Sequence, residues 1–239
     1  KIVKDSPGVR RRFIDMELCQ LNKKYYYNIV QYNKVLNERN VVLKNRNLSE
    51  DMLDVYDEQL SSYGEYVIKE RLKYIDKLNY YGKKVHKDIT SNKENIEFKY
   101  QSTIKDLSKV KENFYEALKK NRKKDIEKGI STIGPHRDDF SIFINNVDIK
   151  SFGSQGQQRT AVLTIKFASL RIIKEITNEY PVLLLDDVLS ELDFSRKRYI
   201  LSTIGEIQTI ITCTGIEDIC NYLDSNSKIF KVKNGIVSN

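Results

Sequence analysis

Residues 182–193 read Val-Leu-Leu-Leu-Asp-Asp-Val-Leu-Ser-Glu-Leu-Asp, and this stretch predicts an α/β fold. Its four leading aliphatic residues are typical of a strand that is buried on both faces of a parallel sheet. Open α/β sheets bind ligands at the carboxyl ends of their strands, so we expect a ligand beside Asp186 and Asp187. There Asp186 can hold the hydration shell of a magnesium ion, and Asp187 can orient a water for attack on a terminal phosphate. The pair alone is a weak signal, since ordinary strands also end in polar residues.

A loop with two glycines precedes this strand by one helix. Residues 153–159 read Gly-Ser-Gln-Gly-Gln-Gln-Arg and open a helical run from Thr160 to about Asn178. Backbone N–H groups at the positive end of a helix dipole form an anion site. By itself the loop is better explained as a glycine turn with a capping serine, Ser154. Its combination with the acid-tipped strand favours a site that handles phosphate.

Strand and turn patterns complete the second half of the chain. Alternating apolar residues over 140–144 end in Asn145-Asn146, which indicates a hairpin. A helix over Ser195–Ile204, a buried strand over Thr209–Thr212 and a closing hairpin over residues 228–237 follow. This order of elements is typical of an α/β core.

Charge and proline content divide the chain near residue 130. Residues 1–130 contain 29 Lys and Arg against 20 Asp and Glu, whereas residues 131–239 contain 12 against 13. No proline lies between Gly8 and Gly134, a pattern that long helices tolerate and turn-rich folds rarely show. We therefore expect a domain boundary near residue 130, with a basic helical arm before it.

Apolar residues at helical spacing predict two long helices in this arm. One stripe extends from Ile14 to Leu36 and a second from Leu53 to Val85. The two stripes can close on each other as an antiparallel pair. The break between them falls at residues 45–49, where Ser49 can cap the second helix.

A short strand and a third helix follow in the arm. Alternation over residues 96–100 predicts the strand, and the helix fits Asp106–Lys128 with Gly129 as its end. A solvated helix face is one explanation of the basic residues. The sharper one is that cations on a rigid arm bind the phosphate backbone of nucleic acid by counterion release, without reading sequence. The candidates for this contact are four lysines of the third helix: Lys119, Lys120, Lys123 and Lys124.

The composition argues against several other classes of protein. No apolar run of about eighteen residues, the length that spans a membrane, occurs in the chain. We expect no secretory signal, because the sequence shows no charged segment followed by an apolar one at its start. Three unclustered cysteines and two histidines argue against a disulfide framework and a zinc site. We expect a reducing, cytoplasmic environment, with no association with a membrane.

The motifs resemble those of a known ATPase family. Ser154–Arg159 resembles the signature loop of the ABC-type ATPases related to the chromosome-structure (SMC) proteins, Val182–Asp187 their Walker B strand, and Ser190–Asp193 their D-loop. The particular forms of these motifs, together with the run Gly134–Asp139, are similar to the RecF family. Pro7–Asp15 is similar to that family's entry into its helical lobe.

The resemblance implies a fold and a domain organisation. We expect an α/β fold in which half of an ABC-ATPase (SMC-like) head, with a parallel-containing sheet, follows a mainly α-helical arm lobe. Residues 1–130 would form the basic arm lobe. Residues 131–239 would form the C-terminal half of the head, which carries the signature, the Walker B strand and the D-loop.

The resemblance also implies roles for individual residues. Ser154, Gly156 and Gln157 would contact the γ-phosphate of ATP that is bound on the other subunit of a dimer. Asp186 would serve Mg²⁺, directly or through water. Asp187 would polarise the attacking water, at a position where many relatives have glutamate, and its shorter side chain fits a slow, switch-like ATPase.

Other positions of the motifs are less informative. Asp193, in the D-loop, would line the interface between the two nucleotides. His136 and Arg137 lie in a run that is typical of the family, but a structural role is at least as good an explanation for both. Cys213 and Thr214 stand where relatives outside this family carry a switch histidine, so a histidine sensor of the γ-phosphate is absent.

The phosphate-gripping loop of such ATPases is missing from the sequence. The motif G-x-x-x-x-G-K-[ST] does not occur, and the only Gly-Lys pair, Gly82-Lys83, lies within a predicted helix. We therefore expect a fragment that lacks the amino-terminal loop of the family. Such a fragment alone would neither bind ATP tightly nor hydrolyse it, whereas the intact protein would be a weak ATPase.

The resemblance implies a function in DNA repair. The intact protein would be an ATP-dependent, DNA-binding recombination mediator that acts in gap repair, replication restart and SOS induction. ATP would join two heads into a homodimer that clamps duplex or gapped DNA, and hydrolysis would release it. RecR and RecO would be its partners, and the protein would be associated with the nucleoid. A non-catalytic DNA-binding scaffold with degenerate ATPase motifs is the alternative. A transporter ATPase is weaker, since no membrane-coupling segment accompanies the basic arm.

Overall fold

The computed structural model describes residues 2–45, 50–189, 192–215 and 227–238. The chain forms two compact units, residues 1–179 and residues 180–239. The predicted cap Ser49, and Ser190 and Glu191 of the predicted D-loop, lie outside the described residues. None of the described helices combines the length and the apolar content that a membrane-spanning segment requires.

The first unit begins with three helices where the sequence predicts two. These are α1 (Pro7–Leu21), α2 (Lys23–Leu43) and α3 (Glu50–Ile89). The predicted stripe from Ile14 to Leu36 is divided at Asn22, whose extended backbone (φ −142°) ends α1. The Asn22 side chain then accepts a hydrogen bond from the backbone N–H of Tyr25 and caps α2. A helical stripe does not show such a break, because the apolar spacing continues through it.

Helices α2 and α3 pack as the predicted antiparallel pair. At the start of α2, Asn22 donates to the hydroxyl of Tyr66 at 3.2 Å. Near the end of α2, Arg39 donates to Asp57, which lies in the second turn of α3, at 2.7 Å. The direction of the two helices is therefore opposite, and their tyrosine-rich stripes face each other, with Tyr32 and Leu60 fully buried.

A third packing layer comes from α4 (Val110–Lys128). The helix begins one turn later than the predicted Asp106, because the Asp106 carboxylate accepts from the N–H of Ser108 and forms a turn there. It ends as predicted at Gly129, which has φ 63° and closes the helix in a left-handed conformation.

An antiparallel sheet connects the two predicted domains. Its strands are β1 (Ile96–Gln101), β2 (Asp139–Ile144) and β3 (Val147–Asp148), in the order β1-β2-β3. Ile96 pairs with Ile144, and the left-handed residues Asn145 and Asn146 (φ 49° and 66°) form the predicted hairpin turn. Because β1 and β2 pair across residue 130, the compact units divide at residue 179 instead. The assignment of residues 1–130 to an arm lobe and 131–239 to an ATPase head stays a prediction.

The first unit ends with α5 (Ile149–Phe152) and the long helix α6 (Gln155–Thr177). Helix α6 begins at Gln155 and not at the predicted Thr160, so residues 156–159 are helical. Its buried side packs on α3, where the hydroxyl of Tyr74 lies 2.9 Å from that of Ser169.

The second unit contains the predicted parallel strands. Strand β4 (Leu183–Asp186) pairs in parallel with β5 (Thr209–Thr212), and α7 (Phe194–Thr203) and a 3-10 turn (Ile204–Glu206) connect them. The antiparallel hairpin of β6 (Lys231–Lys233) and β7 (Ile236–Ser238) follows, as predicted.

The prediction that the strand at residues 182–185 is buried on both faces is wrong for this chain. Val182 is 52% exposed and Leu184 is 68% exposed, whereas Leu185 is buried. The neighbouring strand shows the same asymmetry, with Ile210 56% exposed. Among the described residues of this unit, β4 has one neighbouring strand and α7 is its one α-helix, so one face of the sheet remains uncovered.

Candidate functional site

The glycine-bearing loop forms the capped start of α6. Gly153 is required there, because a Cβ atom on it would lie 2.6 Å from the carbonyl oxygen of Ile149. Ser154 is the N-cap: its hydroxyl accepts from the N–H of Gln157 at 3.2 Å, and its own N–H donates to Gln157 Oε1 at 3.0 Å. This reciprocal capping box satisfies two backbone donors. Ser154 and Gln155 are at least partly exposed, so the positive end of the α6 dipole faces open surface.

The glutamines behind Ser154 are held by further contacts. Gln158 Nε2 donates to the carbonyl oxygens of Ile149 and Gly153, at 3.1 Å and 2.9 Å. Gln157 Nε2 donates to Glu94 Oε1 at 2.9 Å, and its side chain is half-buried. The turn of residues 154–157, which we call the signature turn, is therefore a fixed structure.

The two acidic residues lie together at the carboxyl end of β4, as predicted. Asp186 stands opposite Thr212 in the parallel register, and the Thr212 hydroxyl donates to Asp186 Oδ1 at 2.6 Å. The N–H of Asp187 donates to the same hydroxyl oxygen at 3.1 Å. Asp187 has φ 48°, which turns the chain sharply at the strand end. From the neighbouring strand, Thr212 thus holds the carboxylate of Asp186 and the backbone of Asp187.

The chemistry of this strand end fits a magnesium ion in part. Mg²⁺ prefers one or two carboxylates together with waters and substrate phosphates, and Asp186 and Asp187 offer two exposed carboxylates. In the described part of the chain, no group of three or more His, Cys, Asp or Glu side chains is arranged to hold a metal ion. Protein ligands alone would therefore hold the ion weakly, and the nucleotide phosphates would have to complete its coordination.

Asp193 caps the helix that follows. Its carboxylate accepts from the N–H of Arg196 at 3.0 Å and forms an ion pair with the Arg196 side chain. It is the N-cap of α7 and is exposed. The structure thus gives Asp193 a local role in α7, and its predicted place at a nucleotide interface stays a prediction.

The predicted residues of the nucleotide site belong to two different units. Ser154, Gly156 and Gln157 lie in the first unit, and Asp186, Asp187 and Asp193 in the second. Each group has its own set of contacts within its unit. A pocket shared between the two groups therefore stays a prediction.

The four predicted DNA-contacting lysines all lie on α4 and all reach its surface. Lys119 and Lys123, like Lys120 and Lys124, are four residues apart and so lie one turn apart on the same helix face. Lys119 lies 3.6 Å from Asp54, so part of its charge is compensated. The other three form no ion pair with a described residue.

The residues of the run Gly134–Asp139 have structural partners. The Tyr32 hydroxyl lies 2.7 Å from His136 Nδ1, and His136 Nε2 lies 3.0 Å from the Ser131 carbonyl oxygen. The carbonyl requires a proton on Nε2, so Nδ1 accepts from Tyr32. Burial lowers the pKa of His136 to about 4, which keeps the ring neutral. The Arg137 guanidinium also donates to the Ser131 carbonyl.

The acids of the same run are also engaged. Asp139 accepts two hydrogen bonds from the buried Arg10, both at 2.7 Å. Asp138 accepts from Tyr100 and Thr103, and burial raises the pKa of its carboxyl. These contacts connect α1 and β1 to β2 and explain the run without a direct role in catalysis.

Two features of this unit were not found from the sequence. One is Glu94, which lies in the connection between α3 and β1 without any motif around it. The other is a cleft of about 400 Å³, which is open to solvent. The residues that line this cleft include Arg11, Arg12, Asp15, Cys19, Arg71 and His136. Only the run Arg10-Arg11-Arg12 could have indicated this cleft, and its charge alone does not distinguish it from a solvated face.

Comparison with known proteins shows the family of the chain. No family model matches. The protein named "DNA replication and repair protein RecF" of Clostridium perfringens (strain SM101 / Type A) is 70% identical over 235 residues, which are 98% of this chain and 65% of that protein. The protein of the same name from Clostridium botulinum (strain Eklund 17B / Type B) is 65% identical over 239 residues, or 100% of this chain and 66% of that protein.

A solved structure agrees with these relatives. The structure described as the recombination mediator protein RecF with ATP in the RecFOR pathway is 37% identical, with a TM-score of 0.86 over 99% of this chain and 64% of that one. The fold is therefore that of an α/β ATPase head of the ABC type, with a helical lobe. Within this class the chain belongs to the RecF family. It spans about two thirds of the length of the curated relatives that it matches, 65% for the C. perfringens protein.

Proposed function

We propose that this chain is the signature-bearing part of an ATP-switched, DNA-binding recombination mediator. Its relatives are named as replication and repair proteins, and the solved structure is described as a recombination mediator with ATP. The observation that carries the proposal is the signature turn, in which Ser154 and Gln157 cap each other at the start of α6 and Ser154 and Gln155 are exposed. Such a turn presents a helix N-terminus to an anion.

The proposed site is completed by a second subunit. Ser154, Gly156 and Gln157 of one subunit would contact the γ-phosphate of ATP bound on the other, so that ATP joins two heads. Asp187 would hold the attacking water, while Asp186, aligned by Thr212, would hold a Mg²⁺ water shell. The ion, when bound, neutralises charge on the transferred phosphate. Asp193 would lie between the two nucleotides, and hydrolysis would release the dimer.

The proposed DNA contact lies on α4. Exposed lysines on one face of a rigid helix bind backbone phosphates and release counterions, which gives affinity without sequence preference. The lysines without a described ion pair, Lys120, Lys123 and Lys124, would contribute most. Dimerisation would then clamp duplex DNA beside a gap. This proposal extends to gap repair, replication restart and SOS induction, with RecR and RecO as partners.

The chain by itself would lack the ATPase activity of the intact protein. Nucleotide affinity in such ATPases comes from a Gly-Lys loop that cradles the phosphates, and the 239 residues contain no such loop. The proposal for this chain alone is therefore DNA binding without tight ATP binding. ATP-dependent behaviour is a proposal for the intact protein.

The proposal is tested by the mass of the intact protein in solution with and without ATP. We expect a monomer without nucleotide and a dimer with ATP. Ser154→Asp should abolish the dimer, because aspartate caps a helix as well as serine does but repels the γ-phosphate. Ser108→Asp adds the same charge at an exposed position before α4 and should dimerise like the wild type. A mass that does not change with ATP would instead support the non-catalytic scaffold.

A further inference from the structure

Glu94 connects the signature turn to the end of the long helix α3. It lies in the connection between α3 and β1, and its side chain is 23% exposed. One carboxylate oxygen, Oε1, accepts from Gln157 Nε2 at 2.9 Å. The other, Oε2, lies 3.4 Å from His86 Nε2, in the last turn of α3. A single carboxylate therefore contacts both the signature turn and the arm helix.

The opposite edge of the His86 ring is also fixed to α6. His86 is fully buried, and its Nδ1 lies 2.9 Å from Thr164 Oγ1. The Thr164 hydroxyl also lies 2.9 Å from the carbonyl oxygen of Thr160, one turn earlier in α6. The end of α3 thus contacts α6 twice, through Thr164 in the helix and through Glu94 at the signature turn.

These contacts fix the orientation of the Gln157 side chain. Its oxygen must face the N–H of Ser154, which donates at 3.0 Å, and its NH₂ group must face Glu94. The hydrogen bond to Glu94 is charge-assisted and so is the stronger of the two. Without Glu94, the amide loses the partner of its NH₂ group and is held by the capping box alone.

We propose that Glu94 is a positioning residue for the signature turn, which holds Gln157 in the orientation that contacts the partner's nucleotide. This inference rests on the proposed function, since it assigns a role in the same site. Helix α3 also packs against α4, but near its other end, where the buried Asp57 accepts from Arg122 at 2.7 Å.

The first test measures positioning without nucleotide, in this chain. The N–H of Ser154 is protected from hydrogen exchange only while Gln157 Oε1 stays in place. Glu94→Ala should therefore raise the exchange rate of the Ser154 amide about tenfold, the equivalent of one charge-assisted hydrogen bond. Glu94→Gln keeps an oxygen that accepts from Gln157 and should restore most of the protection. Glu97→Ala is the control, because Glu97 is an acid of β1 that pairs with Lys99 on the surface.

The second test uses the intact protein and separates two kinds of ATP binding. Glu94→Ala should raise the ATP concentration needed for half-maximal dimerisation about tenfold, because Gln157 no longer has its charge-assisted hydrogen bond. ATP affinity of the monomer, which depends on the same subunit's phosphate loop, should stay within about twofold of the wild type. Glu94→Gln should recover dimerisation.

The outcomes of these tests are distinct. Unchanged Ser154 exchange, or normal dimerisation in Glu94→Ala, overturns the role of Glu94 and leaves the proposed function intact. A wild-type protein that fails to dimerise with ATP overturns the proposed function itself. In that case the exchange rates still decide whether Glu94 positions Gln157.

Discussion

Arg39 and Asp57 form an ion pair at 2.7 Å in which both side chains are completely buried. The same guanidinium also donates to Asp125 and to the hydroxyl of Ser131, both at 2.8 Å. One cation therefore joins α2, α3, α4 and the segment that follows Gly129. This cluster fixes the helix that carries the proposed DNA surface.

Replacing Arg39 should destabilise the chain strongly. Arg39→Met leaves Asp125 and Asp57 buried without this cation, and breaking a buried pair costs about 3–5 kcal/mol. Lys73→Met is the matched control, since Lys73 pairs with Glu70 on the surface and should cost less than about 1 kcal/mol. Urea unfolding of the two variants measures the difference. Equal losses of stability in the two variants would show that the buried cluster contributes no more to the free energy of unfolding than the surface ion pair does.

Gly134 should tolerate no side chain. It has φ 127°, and a Cβ atom on it would lie 2.5 Å from the Tyr32 hydroxyl and 2.6 Å from Phe114, both buried. Gly134→Ala should therefore lower the free energy of unfolding by roughly 2–5 kcal/mol, from strain and overpacking together. Gly205→Ala, where a Cβ meets nothing within 4 Å, should have little effect. A thermal melt of Gly134→Ala that matches the wild type would refute this packing argument.

Stability should fall in mild acid through His136. Its folded pKa of about 4 lies below the ordinary histidine value of 6.5, so between these pH values the unfolded chain binds a proton that the folded chain does not. This contribution to stability is complete above pH 6.5 and is lost as the pH falls towards 4, with a slope of up to about 1.4 kcal/mol per pH unit.

The variant His136→Gln isolates this effect. Glutamine can accept from Tyr32 and donate to the Ser131 carbonyl but does not titrate. The difference in stability between wild type and variant should therefore be constant above pH 6.5 and should shift against the wild type below it. Parallel curves over the whole range would mean that His136 is protonated equally in both states.

The lysines of α4 should determine the salt dependence of DNA binding. Replacing Lys119, Lys120, Lys123 and Lys124 with glutamine should flatten the plot of log affinity against log salt by about 0.9 for each phosphate that is no longer neutralised. The control replaces four lysines that already pair with glutamates: Lys69, Lys73, Lys77 and Lys99. Both variants have the same net charge, so fluorescence anisotropy with duplex DNA separates direct binding from overall charge. Equal slopes in the two variants would place the DNA surface elsewhere.

The sequence predicts the features of this fold that depend on local chemistry. Asn145-Asn146 gives the hairpin because asparagine tolerates a left-handed backbone, and Gly129 ends α4 for the same reason. The predicted start of α6 is too late because Gly156 favours a loop, although the capping box of Ser154 and Gln157 defines the helix start. The sequence does not predict the break at Asn22, because the apolar stripe continues across it.

Features that depend on distant residues could not be predicted. The exposure of Leu184 depends on which elements cover the sheet and not on the strand itself. The hydrogen bond between Glu94 and Gln157 joins residues 63 positions apart, and no spacing rule connects them. For the same reason the division of the chain at residue 179 was not apparent, because β1 and β2 pair across the change in charge near residue 130.

The central claim is that the signature turn of one subunit and the acidic strand end of another form one nucleotide site. ATP hydrolysis by mixed variants of the intact protein tests it most directly. Ser154→Asp damages the signature turn of each site, and Asp187→Asn damages the acidic strand end of each site. Each variant alone should therefore be inactive. A mixed dimer contains one intact site and one site that Ser154→Asp weakens. An equimolar mixture should therefore hydrolyse ATP faster than either variant alone, at up to about a quarter of the wild-type rate, which is the value for random pairing of the two chains. Ser154→Asp mixed with a chain that carries both substitutions is the control and should recover nothing. A mixture no more active than the mean of the two variants measured separately would contradict a site shared between subunits.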